Sequence, residues 1–349
     1  MRSVWLQAAA VALVALPLLL LLDAYVRDSP TPRNDELIYE LMAQKPFAAH
    51  TFPFAHRVAV PSLVHVLPFD HTLSFSLLAW LSSAACGGLA YVLMRRFSIH
   101  ELLAAGLGVG LALSPVLLVV SVRQGRNVDP ESILVMLAGA IAIVDRRPVV
   151  FGAIVFVGAF VREASLFLIP FAYAVWASRL WDTVAARQVA AASFPGVLGY
   201  AALRLSVPSL YREQVVGYDS LLGGRVTVLR KSFANIEVPL RRMAFAFGPL
   251  WLFAPFALRD MPFVRRGLVL VGCCVISMTF ALDWGRIIFL AAPVIVVAAA
   301  WVLDSRPRLA LVAVVALLAF DAAYVVYLED FGGAQNGIID TGRTSYGIR

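Results

Sequence analysis

LSFSLLAWLSSAACGGLAYVLM (residues 73–94) is followed, after the short segment RRFSIHE (95–101), by LLAAGLGVGLALSPVLLVVSV (102–122). At about 1.5 Å per residue, each apolar block is long enough as an α-helix to cross the roughly 30 Å of bilayer hydrocarbon. The blocks are continuously apolar rather than alternating, and a helix satisfies its backbone hydrogen bonds internally. The pair therefore predicts two adjacent membrane-spanning helices joined by a basic turn.

The same reading extends along the whole chain and gives eleven apolar spans. It predicts an all-α, polytopic transmembrane helix bundle of about 11 helices, forming a single integral membrane domain over residues 1–349. Three middle spans are shorter than a bilayer, so either flanking polar residues enter the helices or their ends open into a wet cavity. The predicted spans are Val4–Leu22, Leu73–Met94, Leu102–Val122, Ile133–Val144, Val149–Val161, Ala164–Ala177, Val189–Leu203, Met243–Leu258, Gly267–Leu282, Ile287–Leu303 and Leu309–Leu328.

Composition excludes a soluble enzyme. Hydrophobic residues make up 61% of the 349 and charged residues 15%, whereas a soluble domain has about 25% charged residues. The net charge of +7 is scattered in short clusters between apolar blocks, so the expected partner is the lipid bilayer and not nucleic acid. The three cysteines, Cys86, Cys273 and Cys274, lie inside apolar blocks and are interpreted as packing residues.

The flanking charges predict the orientation. With a cytoplasmic N-terminus and the first span retained as an anchor, the inner segments hold twelve arginines and five acidic residues, which equals the whole net charge. Residues 23–71 and 204–242 then form two extracytoplasmic loops, and residues 329–349 form an extracytoplasmic C-terminal tail. The preference for Arg over Lys is typical of GC-rich bacteria, so the predicted location is a bacterial inner membrane.

The first outer loop holds the first candidate catalytic residues. The segment Asn34–Gln44 predicts an amphipathic interfacial helix, and the segment Arg57–Phe69, interrupted by two prolines, predicts an interfacial or re-entrant piece. Asp35 and Glu36 are candidate general bases because they would lie just above the membrane. The alternative is that both acids merely complement the dipole of the helix that they begin.

The connection SVRQGRNVDPES (residues 121–132) is dense in charge. Arg123 and Arg126 are three residues apart, and on a helix they would converge on one anion such as a phosphate. Asp129, followed by proline, is typical of a helix N-terminus. Asp129 and Glu131 are candidate site residues beside these arginines.

Two further charged pairs lie between apolar runs. Arg162 and Glu163 are predicted to be functional, since ionisable groups at membrane depth usually face a cavity or a partner, and adjacent helical residues do not face each other. Asp283 and Arg286 have a spacing that permits an ion pair. A surface salt bridge beside an interfacial Trp284 explains that pair equally well.

Four histidines in the first loop, His50, His56, His65 and His71, do not have a zinc-site spacing. His56 beside Arg57 is instead interpreted as part of an anionic pocket. The chain has no Gly-rich phosphate loop, nucleophile elbow or HExxH motif.

The chain resembles the GT-C superfamily of polytopic membrane glycosyltransferases, which use polyprenyl-phosphate-linked sugars. The likeness covers most of the chain and rests on five motifs in the order expected. These are RNDELIYELMAQKPF (33–47), PFAHRVAVPSL (53–63), NVDPES (127–132), VREASLFLIP (161–170) and DWGRIIFLAAP (283–293).

The resemblance implies a function and a set of roles. The early outer-loop acid would be the catalytic base, which maps onto Asp35 with Glu36 as its rival. The arginines would include the ligands of the donor phosphate in an inverting transfer to a glycan, lipid or protein acceptor. A divalent cation, Mg or Mn, is a further possibility. The arginines in that group are Arg57, Arg123, Arg126, Arg162 and Arg286.

Two other classes of protein fit the same charges. A transporter or flippase of an anionic or lipid-linked substrate would use them without breaking a bond, but it would have to open to both sides of the membrane. A non-catalytic membrane subunit would keep its activity when Asp35 becomes Asn or Arg162 becomes Ala.

Overall fold

The computed structural model describes residues 2–25, 34–51, 54–123, 125–210, 230, 232–234, 236–280 and 283–330. The N-terminal half of this part of the chain contains ten α-helices. They are α1 (Arg2–Tyr25), α2 (Asn34–Gln44), α3 (Ala59–Val66), α4 (His71–Arg95), α5 (Glu101–Ala112), α6 (Pro115–Leu118), α7 (Asp129–Val144), α8 (Pro148–Val161), α9 (Leu168–Trp176) and α10 (Thr183–Ser206).

The C-terminal part of the described chain contains six helices, of which the last is the longest. They are α11 (Glu237–Phe247), α12 (Ala257–Asp260), α13 (Pro262–Ser277), α14 (Trp284–Ile288), α15 (Ala292–Asp304) and α16 (Pro307–Asp330). Short 3-10 or π-helical turns connect several of them. These turns are Phe54–His56, Val119–Arg123, Glu163–Phe167, Gly248–Leu252, Ala254–Phe256, Met278–Phe280 and Phe289–Ala291.

Six helical segments of the described chain are long and apolar enough to cross a membrane. Two shorter apolar helices, Pro148–Val161 and Glu163–Trp176, accompany them. The chain is therefore an all-α bundle and a multi-pass membrane protein, while the predicted number of about eleven spans is not confirmed. The six segments are Ser3–Ala24, His71–Arg95, Glu101–Val122, Thr183–Ser206, Trp284–Asp304 and Pro307–Tyr324.

The predicted span Met243–Leu258 is not one helix. Helix α11 ends at Phe247, and Gly248 adopts a φ of 48°, a left-handed conformation that glycine favours. Pro249 follows, and a Cβ atom on Gly248 would come within 2.7 Å of the Phe320 ring. The chain continues as two 3-10 turns and the short α12, because the Gly–Pro pair does not continue an α-helix here.

The short middle spans gain polar residues. Helix α7 begins at Asp129, four residues before the predicted Ile133. Between α8 and the following 3-10 turn, Arg162 is extended, with φ −161° and ψ 134°. The two charged residues of this break, Arg162 and Glu163, therefore lie between two apolar helices.

Close glycine contacts hold α1, α4 and α5 together. A Cβ atom on Gly87 would be 2.6 Å from the carbonyl oxygen of Gly108, and one on Gly88 would be 2.8 Å from that of Ala8. Any side chain at these positions would force the helices apart. Small residues allow this approach, which is how helices gain packing contacts in a bilayer.

A short parallel β-bridge joins the segment after α2 to the segment after α10, and the all-α prediction did not include it. Strand β1 (His50–Thr51) pairs with β2 (Ser209–Leu210), with His50 opposite Ser209. This bridge ties the segment after α2 to the residues after α10.

The bundle has two polar ends. One of them, which we name the site end, is where α4, α7 and α14 begin and where α1 and α8 end. The other is named the opposite end. At the opposite end, the Arg96 side chain pairs with Asp145 at 2.8 Å, and the backbone N–H of His100 donates to Asp304 at 2.7 Å.

Candidate functional site

Asp129 is the centre of a buried ion-pair network at the site end. It begins α7, where Pro130 occupies the first turn and the Asn127 side-chain oxygen accepts from the backbone N–H groups of Val128 and Asp129 at 2.8 and 3.2 Å. The Asp129 carboxylate accepts hydrogen bonds from both Arg162 and Arg286. Because only 3% of its side chain is exposed, this carboxylate fixes two guanidinium groups in a water-poor environment.

Arg286 connects this network to helix α2. Its Nη1 lies 3.4 Å from Oδ2 of Asp35 on α2, and its Nη2 lies 3.3 Å from the Asn127 side-chain oxygen. The carboxylate of Asp283 and the guanidinium of Arg286, whose spacing permits an ion pair, do not form one among the described contacts. Asp283 instead caps α14 by accepting from the backbone N–H of Arg286 at 3.4 Å, which leaves the guanidinium free to reach Asp129 and Asp35.

Trp284 is not an exposed interfacial anchor, because it is buried at the start of α14. Its ring lies edge-on to Phe233, with 6.4 Å between the ring centroids. Packing of Trp284 holds the first turn of the helix that carries Arg286.

A second ion pair links the first outer loop to the break after α8. Nη2 and Nε of Arg57 donate to the two carboxylate oxygens of Glu163 at 2.5 and 3.0 Å, and Nη1 donates to the Tyr39 hydroxyl at 3.0 Å. The Arg57 guanidinium also lies 5.1 Å from the centre of the Phe54 ring. This geometry is bidentate, which gives an Arg–carboxylate pair both strength and orientation.

Burial and neighbouring groups shift the pKa values of Arg57 and Tyr39. Burial alone would lower the pKa of Arg57, but Glu163 and Tyr39 outweigh it and hold that pKa well above its ordinary value. Burial raises the pKa of Tyr39 to about 12, against the lowering effect of Arg57. Arg57 therefore stays a cation and Tyr39 a neutral hydroxyl through the physiological range.

Arg126 belongs to a separate pair of contacts at the rim of the site end. Its Nε lies 3.1 Å from Glu40 on α2, and its Nη2 donates to the Thr72 hydroxyl at 2.6 Å. The same Glu40 carboxylate contacts Nδ1 of His71 at 2.9 Å. These contacts tie α2 to the start of α4. Arg123 ends the π-helical turn, and its side chain lies outside the described part of the chain.

The first-loop histidines contact protein groups rather than one another. Nε2 of His56 lies 3.2 Å from the Val207 carbonyl oxygen, and Nδ1 lies 3.4 Å from Arg204. Burial, followed by the nearby Arg204, lowers the pKa of His56. His50 contacts the Lys45 carbonyl and His65 that of Ala43.

The described residues contain no group of three His, Cys, Asp or Glu side chains that could hold a metal ion. The chemistry of the site also argues against a metal between Asp35 and Asp129. The guanidinium of Arg286 contacts both carboxylates, so a protein cation already occupies the position that a bridging metal ion would take. These residues do not fit a divalent cation.

Six of the residues singled out in the sequence therefore belong to two groups of ion pairs, one around Asp129 and one between Arg57 and Glu163. The other predicted residues lie around them. Glu36 is buried one position after Asp35, Glu131 lies on the first turn of α7 and makes no ion pair with a described residue, and His56 is the last residue of the 3-10 turn that precedes Arg57. The six are Asp35, Arg57, Asp129, Arg162, Glu163 and Arg286.

Sequence reasoning missed Tyr39 and Glu40 as site residues. Tyr39 lies four positions after Asp35, so the two share one face of α2, and that spacing was the available signal. Glu40 was interpreted only as part of the polar face of an amphipathic helix. Its contacts with Arg126 and His71 depend on how α2 docks on α4, which no local pattern encodes.

Asp35 makes fewer and longer ion-pair contacts than the other carboxylates of the network. About a third of its side chain is exposed, and its described ion pair is a single contact of 3.4 Å. Glu163 has similar exposure, but both of its oxygens accept from Arg57. Asp35 is thus the carboxylate best able to accept a proton from an incoming group.

No family model matches this chain, and no curated protein matches it.

Proposed function

We propose that this chain is a GT-C-like membrane glycosyltransferase. It transfers a sugar from a polyprenyl-phosphate donor to a glycan, lipid or protein acceptor at the site end, with inversion. The observation that carries the proposal is the Asp35–Arg286–Asp129–Arg162 network, in which a partly exposed carboxylate lies beside two guanidinium groups fixed by a buried one.

The reaction assigns different tasks to the two charge types. Asp35 accepts the proton of the acceptor hydroxyl as its oxygen attacks the anomeric carbon of the sugar. The bond between that carbon and the phosphate oxygen breaks, and polyprenyl phosphate leaves with the electron pair. Charge grows on the departing phosphate in the transition state, where fixed cations are most effective.

Arg162 and Arg286 suit the phosphate because Asp129 orients them. A guanidinium has five N–H donors, and Asp129 occupies only part of this capacity. Both arginines are positioned before the donor binds, so little reorganisation accompanies the reaction. Arg57 is bound bidentately to Glu163, and we assign it the role of positioning the break that carries Arg162.

Exposed apolar residues beside the network support a lipid-linked donor. Leu37 and Leu41 on α2, and Leu63 and Val66 on α3, are all exposed although they are apolar. Helices of this kind lie in the membrane interface with their apolar side chains in the acyl region. A prenyl chain in the bilayer would therefore reach the site end with its phosphate near Arg286.

In this proposal the site end faces the extracytoplasmic side of a bacterial inner membrane, with a cytoplasmic N-terminus. The basis is that the segments of the opposite end hold twelve arginines against five acidic residues, which equals the whole net charge, together with the positive-inside rule for short connections.

Exchange of the base tests the proposal directly. Purified protein in nanodiscs is given polyprenyl-phosphate sugars labelled in the sugar, with membranes of the source organism supplying acceptors, and transfer of label is measured. We expect Asp35→Asn to lower the rate at least about 100-fold, the scale of a lost general base. Asp70→Asn is the matched control, since Asp70 lies in the same loop and caps α4, a role that Asn also fills.

Turnover retained in Asp35→Asn would remove Asp35 as the base. If Glu36→Gln alone abolishes turnover, the role passes to the rival carboxylate. If wild-type protein moves labelled lipid across the bilayer without releasing polyprenyl phosphate, the chain is a flippase instead.

The phosphate role of the arginines has its own measurement. Arg162→Lys keeps a cation beside Asp129 but loses the planar fork of donors. We expect it to weaken binding of polyprenyl phosphate about tenfold, as measured by native mass spectrometry. Arg96→Lys changes an ion pair at the opposite end in the same way and should leave the affinity unchanged. Unaltered affinity in Arg162→Lys would count against donor binding by Arg162.

A further inference from the structure

The opposite end contains a cavity that the proposed transfer reaction does not use. Its volume is about 540 Å³, and it lies between the α7–α8 turn, the end of α9, the start of α10 and α13. We name it the Arg146 cavity. Its polar lining residues are Arg146, Ser178, Asp182, Gln188 and Arg266.

The two arginines that line this cavity have N–H donors without a protein acceptor among the described residues. Arg266 donates one bond, from Nη1 to the Val175 carbonyl oxygen at 2.6 Å, and its other donors remain. The Arg146 side chain makes no ion pair or hydrogen bond with a described residue. Two guanidinium groups thus line one cavity with donor capacity left over.

The single carboxylate of the cavity is already saturated. Asp182 accepts from the backbone N–H and hydroxyl of Ser178 at 2.9 and 2.8 Å, and from the backbone N–H groups of Val184 and Ala185 at 3.1 and 3.0 Å. The bonds from Ala185 and Ser178 hold the pKa of Asp182 below its ordinary value. Asp182 therefore organises the α9–α10 connection and does not neutralise the arginines by pairing with them.

The backbone of Arg146 is also unusual. It has a φ of 51°, where glycine is normally found, at the end of α7. The backbone N–H of Arg147 bonds to the Ala142 carbonyl and that of Arg146 to the Ile143 carbonyl, which is the Schellman arrangement. An arginine is strained at this position, and its side chain enters the cavity lining.

Apolar residues next to the cavity indicate the source of an anion. Leu180, Trp181 and Val184 are each more than 70% exposed, and Val184 itself lines the cavity. Tryptophan and leucine in such positions lie against lipid at the membrane interface. A soluble anion would gain nothing from them, whereas a lipid would contact the apolar residues with its acyl chains.

We propose that the Arg146 cavity binds the phosphate of an anionic phospholipid headgroup from the leaflet at the opposite end. Arg146 and Arg266 contact the phosphate oxygens, and Gln188 and Ser178 face the glycerol or headgroup hydroxyls. The exposed apolar side chains around the start of α10 contact the acyl chains. Basic pockets between transmembrane helices are a recurring form of lipid headgroup recognition.

The test uses a substitution that removes the charge without harming the fold. Arg146→Gly places glycine at a left-handed position, so the fold is retained or stabilised while the guanidinium is lost. The full chain is purified in nanodiscs of phosphatidylcholine with a minor fraction of phosphatidylglycerol. Retained lipid is counted by native mass spectrometry after transfer to detergent.

We expect wild-type protein to retain one phosphatidylglycerol molecule, and Arg146→Gly to bind it about fivefold more weakly. Arg266→Gln should show a similar loss. Arg187→Gln removes an exposed arginine of α10 that does not line the cavity, and it should retain the lipid as wild type does. Arg162→Lys at the site end should also leave retention unchanged, which separates this cavity from the proposed donor site.

Three outcomes would overturn the proposal. One is equal retention of phosphatidylcholine and phosphatidylglycerol by the wild-type protein. The second is an equal loss in Arg146→Gly and Arg187→Gln, which would reflect general surface charge. The third is displacement of the lipid by inorganic phosphate together with equal thermal stabilisation by phosphate alone, which would assign the cavity to a soluble anion.

Discussion

The two ends of this bundle hold their charges in different ways. At the site end, Arg286 reaches Asp129 across 157 positions of sequence, and Arg57 reaches Glu163 across 106. At the opposite end, the carboxylate of Asp182 is bound by residues two to four positions away, and Arg146 extends from a local turn. The site end is therefore a network in which carboxylates and guanidinium groups share partners, whereas the opposite end combines local caps with separate contacts such as Arg96–Asp145 and His100–Asp304.

This difference indicates at which end the free energy of unfolding depends most on single charged side chains. Buried ion pairs stabilise little in net terms, but loss of one partner leaves an unpaired charge at high cost. A pair whose two side chains are both partly hydrated, such as Arg96–Asp145, costs less to break because water solvates the charge that remains. The site end should therefore be sensitive to single substitutions that the opposite end tolerates. We interpret this sensitivity as the consequence of holding two arginines in place for catalysis.

The largest expected effect comes from Asp129→Asn. It removes the shared carboxylate of Arg162 and Arg286 and should destabilise the protein by about 3–5 kcal/mol, the cost of breaking a buried pair. The unfolding temperature, followed by tryptophan fluorescence in detergent, should fall on the order of 10 °C. Asp145→Asn, which breaks the pair with Arg96 at the opposite end, should cost about 1 kcal/mol or less. Equal losses for both variants would abolish the distinction between the ends.

The second effect is the coupling energy between Arg57 and Glu163. A double-mutant cycle with Arg57→Met and Glu163→Gln should give about 2 kcal/mol, because the pair is bidentate and Arg57 is buried. The cycle for Arg96 and Asp145 should give a smaller value of about 1 kcal/mol, because that pair is also bidentate but neither of its side chains is as deeply buried as Arg57. Both are measured by reversible unfolding in mixed micelles. A larger coupling at the opposite end would reverse the comparison.

Removal of one hydroxyl should show the same trend on a smaller scale. Tyr39→Phe deletes the acceptor of a buried Arg57 donor and should cost about 1.5 kcal/mol, since the bond involves a charged group. Tyr91→Phe at the opposite end deletes a bond from the Tyr91 hydroxyl to the Gln7 side chain and should cost about 0.5–1 kcal/mol. Unfolding in mixed micelles measures both, and a costlier Tyr91→Phe would contradict the trend.

The sequence predicted the local parts of the site. The amphipathic helix over Asn34–Gln44 has the predicted bounds, because its polar start and apolar face are encoded within eleven residues. The Asp–Pro start of α7 was recognised for the same reason. The sequence also placed Arg162 and Glu163 correctly as neighbours that do not pair with each other, since each pairs with another element.

The long-range parts could not be read from local spacing. The separation of three residues permitted an Asp283–Arg286 pair, but Asp283 caps the helix through the backbone N–H of Arg286, and the Arg286 guanidinium binds Asp129. Which carboxylate the Arg286 guanidinium binds depends on how α2, α7 and α14 pack against one another. The Met243–Leu258 span failed for a different reason, because hydropathy counted Gly248 and Pro249 as tolerable within an apolar run.

The smallest expected effect is a pH dependence at His56, where the first loop meets the end of α10. Burial and then Arg204 lower the pKa of His56 in the folded protein, so the folded state favours the neutral ring. The stabilisation from this preference is present above the ordinary histidine pKa of about 6.5 and is lost as the pH falls through the folded value. Between about pH 7 and pH 5, the unfolding temperature of wild-type protein should therefore fall about 1–2 °C more than that of His56→Gln. His100→Gln, at the opposite end, is the control and should follow the wild-type curve. If His56→Gln also follows that curve, His56 does not contribute to the pH sensitivity of the site end, and the long-range network is insensitive to protonation at its rim.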